Sequence, residues 1–290
     1  MTGKRALLLV NPNSRRGKES LPQVREHLSE AGIAFIELAA GSTEQPSDAV
    51  IRLAAEIDRV IVGGGDGSLN AAAQGLLDTG LPLGVLPLGT ANDFARTIGL
   101  PLDVASAVDV IARGKTASVD LGEANGHPFF NVASIGFSAD LAMSLTEEAK
   151  RRWGKLGYGL VAARLLASSR LFKATLEHDG KIDQLRTLQV AVGNGRFYGG
   201  GMTVQADATA TDGMLDFYSL EVDHWWKLLR LLPSLRKGTH GDWDEVRAFS
   251  TKDLTIWTSK PRSVNLDGEL KTKTPVTFAI REKAITVFIR

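Results

Sequence analysis

Three runs in this chain place small, polar and acidic residues between an apolar stretch and a helix-period one, where backbone amides can meet a phosphate. The sharpest is Gly63-Gly64-Gly65-Asp66-Gly67-Ser68-Leu69-Asn70. Glycines at such a turn let the main chain approach a ligand closely, and the amides at a helix start attract an anion. No Gly-Lys-Ser/Thr follows, so this is not a Walker loop, and the glycines lack the spacing of the dinucleotide fingerprint. A tight strand–helix turn capped by an aspartate would use the same residues. Four glycines around one aspartate, at the carboxyl end of a parallel strand, favour a phosphate site. The second run is Pro87-Leu88-Gly89-Thr90-Ala91-Asn92-Asp93-Phe94-Ala95-Arg96, in which Thr90, Asn92 and Asp93 also suit helix capping. The third, Asn11-Pro12-Asn13-Ser14, is an ordinary turn on its own. Three such loops on one sheet edge outline a nucleotide crevice.

Positioning those loops requires short strands alternating with helices. Arg5 to Val10 reads as a buried strand, followed by a polar loop from Asn11 to Lys18 and a helix faced by Leu21, Val24, Leu28 and Ala31. Ile33 to Leu38 is the next strand; Ala49, Val50, Leu53, Ala54 and Ile57 stripe a helix; Arg59 to Val62 is the strand entering the glycine run. Then come a helix over Ser68 to Leu77, a strand over Leu83 to Leu86, helices over Ala91 to Ile98 and Val104 to Ala112, and a strand over Ser118 to Leu121. This rhythm predicts right-handed βαβ units and a parallel sheet.

After Gly122 the rhythm changes. Phe129 to Ile135, Lys173 to His178, Thr187 to Val192, Leu215 to Val222, Leu254 to Trp257, Val276 to Ile280 and Ile285 to Ile289 are strand-like, with Asp179-Gly180 a tight-turn pair. Helical stretches interrupt near Met143 to Ser169 and His224 to Lys237. The expected fold is a doubly wound, phosphofructokinase-like α/β domain over residues 1–122, which the last strand, 284–290, is free to join. A β-rich antiparallel sandwich over 123–283 follows it.

Composition narrows the function classes. The chain has 290 residues, with 34 Lys and Arg against 33 Asp and Glu, so a net charge of +1 gives no support to nucleic-acid binding or a polybasic membrane anchor. Cysteine is absent, which removes disulfides, thiol catalysis and thiolate metal sites. His27, His127, His178, His224 and His240 are isolated and show no metal-ligand spacing, and no Gly-x-Ser-x-Gly elbow supports a hydrolase. Ala6 to Val10 is too short for a signal-peptide core, and no run of about 18 apolar residues could span a bilayer, so a cytoplasmic location is expected.

Taken together, Asn11-Pro12-Asn13-Ser14, the Gly-Gly-Asp-Gly-Ser loop and Pro-Leu-Gly-Thr-Ala-Asn-Asp-Phe-Ala resemble the diacylglycerol kinase catalytic family, in its bacterial YegS and diacylglycerol kinase B branch. Val119-Asp120-Leu121-Gly122, Val192-Gly193-Asn194-Gly195, Asp212-Gly213-Met214-Leu215 and Asn265-Leu266-Asp267-Gly268-Glu269 fit the same pattern in the same order, from residue 5 to about 289. The resemblance implies an ATP-dependent lipid kinase acting on a diacylglycerol- or phosphatidylglycerol-class hydroxyl. Gly64, Gly65, Asp66, Gly67, Ser68, Leu69 and Asn70, with Thr43, Thr90 and Asn92, would hold the nucleotide. Asp66 would organise the catalytic Mg²⁺, helped by Asp93 and Asp120, and Glu269 would be the general base. Thr209, Asp212 and Met214 would bind a second, structural Mg²⁺.

Phosphoryl transfer asks a protein for alignment and charge neutralisation, which these residue types suit. Asp267-Gly268 is also plain turn chemistry, so apart from the resemblance Glu269 reads as the surface carboxylate of a hairpin. The glycine loop is shared with nicotinamide-dinucleotide kinases, which leaves phosphorylation of a soluble nucleotide as an alternative, and a catalytically silent lipid-binding protein as another. His224-Trp225-Trp226-Lys227, leading to Arg236-Lys237, suits either an interfacial helix making transient membrane contact or a helix packed on the β-rich part. No motif specifies an oligomeric state.

Overall fold

The computed structural model describes residues 5–10, 15–38, 42–144, 169–195, 197–198, 202–203, 209–222, 243 and 245–290. Its first part runs β1 (Arg5–Val10), α1 (Arg15–Glu30), β2 (Phe35–Glu37), α2 (Pro46–Leu53), β3 (Ile57–Gly64), α3 (Asp66–Thr79), β4 (Leu83–Pro87), α4 (Asp93–Thr97) and α5 (Val104–Arg113). Strands β2, β1, β3 and β4 lie side by side in that order, all parallel. Ala6 to Leu9 and Val60 to Val62 are buried on both faces of the sheet, as parallel strands are when helices cover both sides. Helix α2 packs on α3, and α1 packs on α5. Gly114 closes α5 in the left-handed conformation at φ 72°, the position only glycine takes without strain.

The second part is β5 (Thr116–Ala124), β6 (His127–Phe129), β7 (Val132–Gly136), α6 (Phe137–Ser144), β8 (Phe172–His178), β9 (Lys181–Thr187), β10 (Gln189–Gly193), β11 (Phe197–Tyr198), β12 (Met202–Thr203), β13 (Leu215–Leu220), β14 (Val246–Thr251), β15 (Asp253–Thr258), β16 (Ser263–Leu266), β17 (Glu269–Lys273) and β18 (Val276–Phe288). An antiparallel sheet orders six of them β14-β13-β10-β7-β16-β17. Four more extend the first sheet beyond β4 as β18-β15-β8-β9, with β5 beside β18 and β6 beside β5, while β11 and β12 pair with each other as a separate two-stranded sheet. The architecture is therefore a helix-covered, largely parallel sheet followed by antiparallel β-structure.

Strand β18 ties the two parts together. Its end touches β4 in parallel at Val287 and Leu83, while its length runs antiparallel to β5. Ile285, Val287 and Phe288 enter the α/β core; Val276 and Phe278 enter the core between the β-layers. The neighbours Phe130 and Phe129 divide in the same way, one to each core.

Several elements differ from the sequence reading. Val276 to Ile280 and Ile285 to Ile289 belong to one strand, whose register shifts between Arg281 and Ile285 around Lys283 at φ 50°. Ile57 opens β3 instead of closing α2, and its complete burial suits either assignment, so periodicity could not decide. Helix α1 starts at Arg15, leaving Pro22 inside it, because its first turn carries no apolar stripe to announce it. Strand β5 lies against β18 antiparallel and does not extend the parallel set. The loop Asn11 to Ser14 and the stretch His224 to Lys237 lie outside the described residues, and Met143 to Ser169 is described only at 143–144 and 169.

Candidate active site

The glycine run forms the exit of β3 and the entry of α3. Gly65 is the N-cap, and the amides of Ser68 and Leu69 are the first to donate back, to the Gly65 carbonyl at 2.9 and 3.3 Å. The amides of Asp66 and Gly67 therefore precede the helical ladder, the position that receives anions. The loop after β4 is bolted onto this one. Leu88 and Gly89 donate their amides to the Gly64 carbonyl at 3.0 and 3.1 Å. Gly65 and Gly89 meet backbone to backbone: a Cβ on Gly65 would lie 3.2 Å from the Gly89 Cα, and one on Gly89 would lie 2.7 Å from the Asn92 Oδ1.

Asn92 completes the junction. Its Oδ1 accepts from the Gly89 amide at 2.9 Å, and its Nδ2 donates to the carbonyls of Pro87 and Gly89 at 3.2 and 3.1 Å. The buried Asn92 is thus spent on shaping the loop in this structure. Leu69 lies in the α/β core, whereas Thr90 and Thr43 are exposed.

Asp66 accepts three hydrogen bonds. The Asp93 and Phe94 amides donate to its Oδ2 and Oδ1 at 3.2 and 2.9 Å, so the carboxylate caps the start of α4. The Asn131 Nδ2 donates to Oδ1 at 3.0 Å, reaching in from the segment before β7. Phe94 stands edge-on to Phe130, ring centroids 4.7 Å apart, which packs α4 against that same segment.

The late acidic turn approaches from the six-stranded sheet. Asp267, in the left-handed conformation at φ 49°, begins the turn between β16 and β17. It accepts from the Phe130 amide at 2.7 Å, the Asn131 amide at 2.9 Å, the Val132 amide at 3.1 Å and the Asn70 Nδ2 at 3.3 Å. Burial pushes its carboxyl up to about 6; the three amides pull it back and the charge of Asp66 adds to the rise. Two residues on, Glu269 is exposed, with Oε1 placed 3.6 Å from where a Cβ on Gly67 would stand. Its Oε2 pairs with the Lys271 Nζ at 2.6 Å. Glu269 therefore sits over the start of α3, at the opening of the glycine loop.

Asp120 belongs to a different junction. The amides of Gly213 and Lys283 donate to its two oxygens at 2.9 and 2.7 Å, and its own amide donates to the Ala210 carbonyl at 2.8 Å. It holds the 209–214 turn against the bulge of β18. Within that turn Asp212 accepts from the Thr209 hydroxyl at 3.2 Å and the Met214 amide at 3.0 Å, so Thr209, Asp212 and Met214 do come together. Among the described residues no group of three or more His, Cys, Asp or Glu side chains could hold a metal by itself.

Sequence reasoning passed over two residues that hold the site together. Asp267 stood in the quoted motif as turn chemistry, and Asn131 had no signal beyond an asparagine following two phenylalanines. Both act through contacts between segments more than 60 residues apart.

A glycine cradle at a parallel strand's carboxyl end, two loops fused on one edge and a carboxylate brought over them from a second sheet suit phosphoryl transfer from a nucleotide. The family model "Diacylglycerol kinase catalytic domain" matches residues 5–124, and "YegS C-terminal NAD kinase beta sandwich-like domain" matches 131–289. A diacylglycerol kinase of Bacillus subtilis is 31% identical over 275 residues, 92% of this chain and 90% of that protein. One from Staphylococcus epidermidis is 30% identical over 98% of this chain and 92% of its own. A solved diacylglycerol kinase structure from Bacillus anthracis matches with a TM-score of 0.80 at 25% identity, covering 100% of this chain and 98% of that one. A further structure from that organism reaches 0.84 at 26%, covering 99% and 95%. The chain belongs to the diacylglycerol kinase catalytic family of the YegS type, a family of lipid kinases that use ATP.

Proposed function

We propose that this chain transfers the γ-phosphate of ATP to a free hydroxyl of a glycerolipid of the diacylglycerol or phosphatidylglycerol class, with Glu269 as general base. The observation carrying this reading is the place of Glu269, at 3.6 Å from the Cβ direction of Gly67 and so beside the amides where a triphosphate would end. The phosphates lie along the glycine loop, with the Asp66 and Gly67 amides facing them and the absent side chains of Gly64, Gly65 and Gly89 making room. Glu269 takes the proton of the lipid hydroxyl while that oxygen forms its bond to the γ-phosphorus. The bond between the γ-phosphorus and the β–γ bridging oxygen breaks, and ADP leaves. A positioned carboxylate contributes about 10²–10⁴-fold to such a step.

Residues of the chain suit Mg²⁺ at both expected positions. Near the loop, Asp66 would hold the ion together with phosphate oxygens, as Mg²⁺ commonly takes one or two carboxylates, phosphate and water. Asp93, which is 4% exposed, lies on the next turn, and Asp120 would act from its junction with the 209–214 turn. Bound there, the ion neutralises charge on the transferring group. Through the main-chain carbonyls of Thr209 and Met214 and the Asp212 carboxylate the donor set is entirely oxygen, which suits a second Mg²⁺ of structural role.

Glu269→Gln tests the base directly. Its turnover is expected to fall at least about 100-fold, since the amide cannot take the proton, while the affinity for the ATP complex stays within a few-fold. Retained turnover would remove Glu269 from the chemistry.

A further inference from the structure

Asn131 is fixed in place by its backbone. Its amide donates to Asp267 Oδ1 at 2.9 Å, and its carbonyl accepts from the Asn194 and Gly195 amides at 2.8 and 3.2 Å. The side chain is therefore not needed to hold the chain's path. It is nonetheless 3% exposed and directs its Nδ2 at the carboxylate of Asp66, while its Oδ1 is buried without a hydrogen-bond partner. An unmade bond at a buried acceptor is costly, and an apolar residue of similar size would avoid it. Keeping a carboxamide here needs a reason at the other end of the group, and that end is Asp66.

The contacts around Asn131 form one continuous set. Glu269 is two residues from Asp267, Asp267 grips the amides of residues 130–132, and the Asn131 side chain reaches Asp66 in the glycine loop. The Asn131 carboxamide thus joins the sheet that brings Glu269 to the Asp66 carboxylate of the glycine loop, beside the Asn70 carboxamide, which reaches Asp267 from α3. Its oxygen lies 3.4 Å from where a Cβ on Gly195 would stand, so a residue without a side chain packs beside it.

We propose that Asn131 is a positioning residue of the phosphotransfer reaction: its carboxamide fixes the orientation of the Asp66 carboxylate, and so sets the phosphate end of the site in register with the Glu269 strand. The proposal rests on the reading of Asp66 as the group that organises metal and phosphate. A donor suits the Nδ2 position and a second carboxylate does not, because two like charges at hydrogen-bond distance repel.

The test is the affinity of full-length protein for the Mg²⁺ complex of a non-hydrolysable ATP analogue, by titration calorimetry, in Asn131→Ala, Asn131→Asp, Asp66→Asn and the double variant Asn131→Ala/Asp66→Asn. Asn131→Ala is expected to weaken binding about tenfold, and Asn131→Asp, the isosteric change, to weaken it further still. A space-filling role would give the reverse ranking. In the Asp66→Asn background, Asn131→Ala is expected to add less than a twofold change, because the group it acts through is gone. Wild-type affinity in Asn131→Ala, an Asn131→Asp better than Asn131→Ala, or full additivity in the double variant overturns the proposal alone. Wild-type affinity in Asp66→Asn overturns the underlying reading and this proposal with it. If Asn131→Asp does not fold, the comparison of Asn131→Ala in the two Asp66 backgrounds decides. Thermal unfolding of each variant checks that the affinity changes are not loss of fold.

Discussion

Asp267 is half-buried, and although four N–H groups converge on its carboxylate, desolvation still wins, pushing its carboxyl up to about 6. The folded state therefore binds this proton more tightly than the unfolded chain, whose carboxyl stays at the ordinary value of 3.8. As pH rises from about 4 to about 6, the unfolded chain gives up the proton first, and the folded state loses stability relative to it. A gap of about two pH units corresponds to about 3 kcal/mol. Asp267→Ala lacks that term while also losing the four bonds, so urea unfolding is expected to show its deficit to wild type largest below about pH 4 and smaller by up to about 3 kcal/mol at pH 7. A deficit independent of pH would contradict the assignment. At this scale the sequence made Asp66 and Glu269 legible, because each sits in a motif of adjacent residues. It hid Asn131 and the clamp made by Asp267, whose partners come from distant segments. It also suggested Asn92 and Leu69 as ligand residues. The structure commits the Asn92 side chain to the loop and the Leu69 side chain to the core, so any ligand contact of Leu69 must come from its backbone.

Among the elements, the two loops after β3 and β4 behave as one unit because their glycines touch. Gly89→Ala puts a methyl against the Gly65 main chain, where nothing flexible can yield. Overpacking of that kind costs about 1–3 kcal/mol, and the expected outcome is a lower denaturation midpoint together with at least tenfold weaker binding of the ATP complex. Unchanged binding would mean that the fused loops do not shape the phosphate site. The buried parallel strands and helices α3 and α5 were legible, since their apolar runs and terminal glycines repeat the physics of their surroundings. Strands β9, β14, β16 and β17 were not. β17 reads Glu-Leu-Lys-Thr-Lys and lies at a sheet edge with little buried on either face, so it carries almost no apolar signal. The bulge in β18 hid the unity of that strand by breaking its alternation at Lys283.

For the whole molecule, the two largest hydrophobic cores among the described residues share β18, which supplies Ile285, Val287 and Phe288 to one and Val276 and Phe278 to the other. A fragment of residues 1–124 would leave β5 without its main partner and Val119 and Leu121 uncovered. It is expected to lack a cooperative thermal transition, whereas the full chain retains one; a fragment melting as sharply as the intact protein would show that the parts are independent. The same interlocking brings Glu269, on the antiparallel sheet, beside the glycine loop of the parallel one, as the proposed reaction requires. No helix among the described residues is long and apolar enough to cross a membrane. Lipid phosphorylation by this chain is read most directly as transfer of label from γ-³²P-ATP to diacylglycerol and phosphatidylglycerol vesicles, with NAD as a soluble competitor acceptor, with and without Mg²⁺. The predicted result is Mg²⁺-dependent label in the lipid phase and none on NAD. Label on NAD, or ATP consumption without labelled lipid, would contradict it.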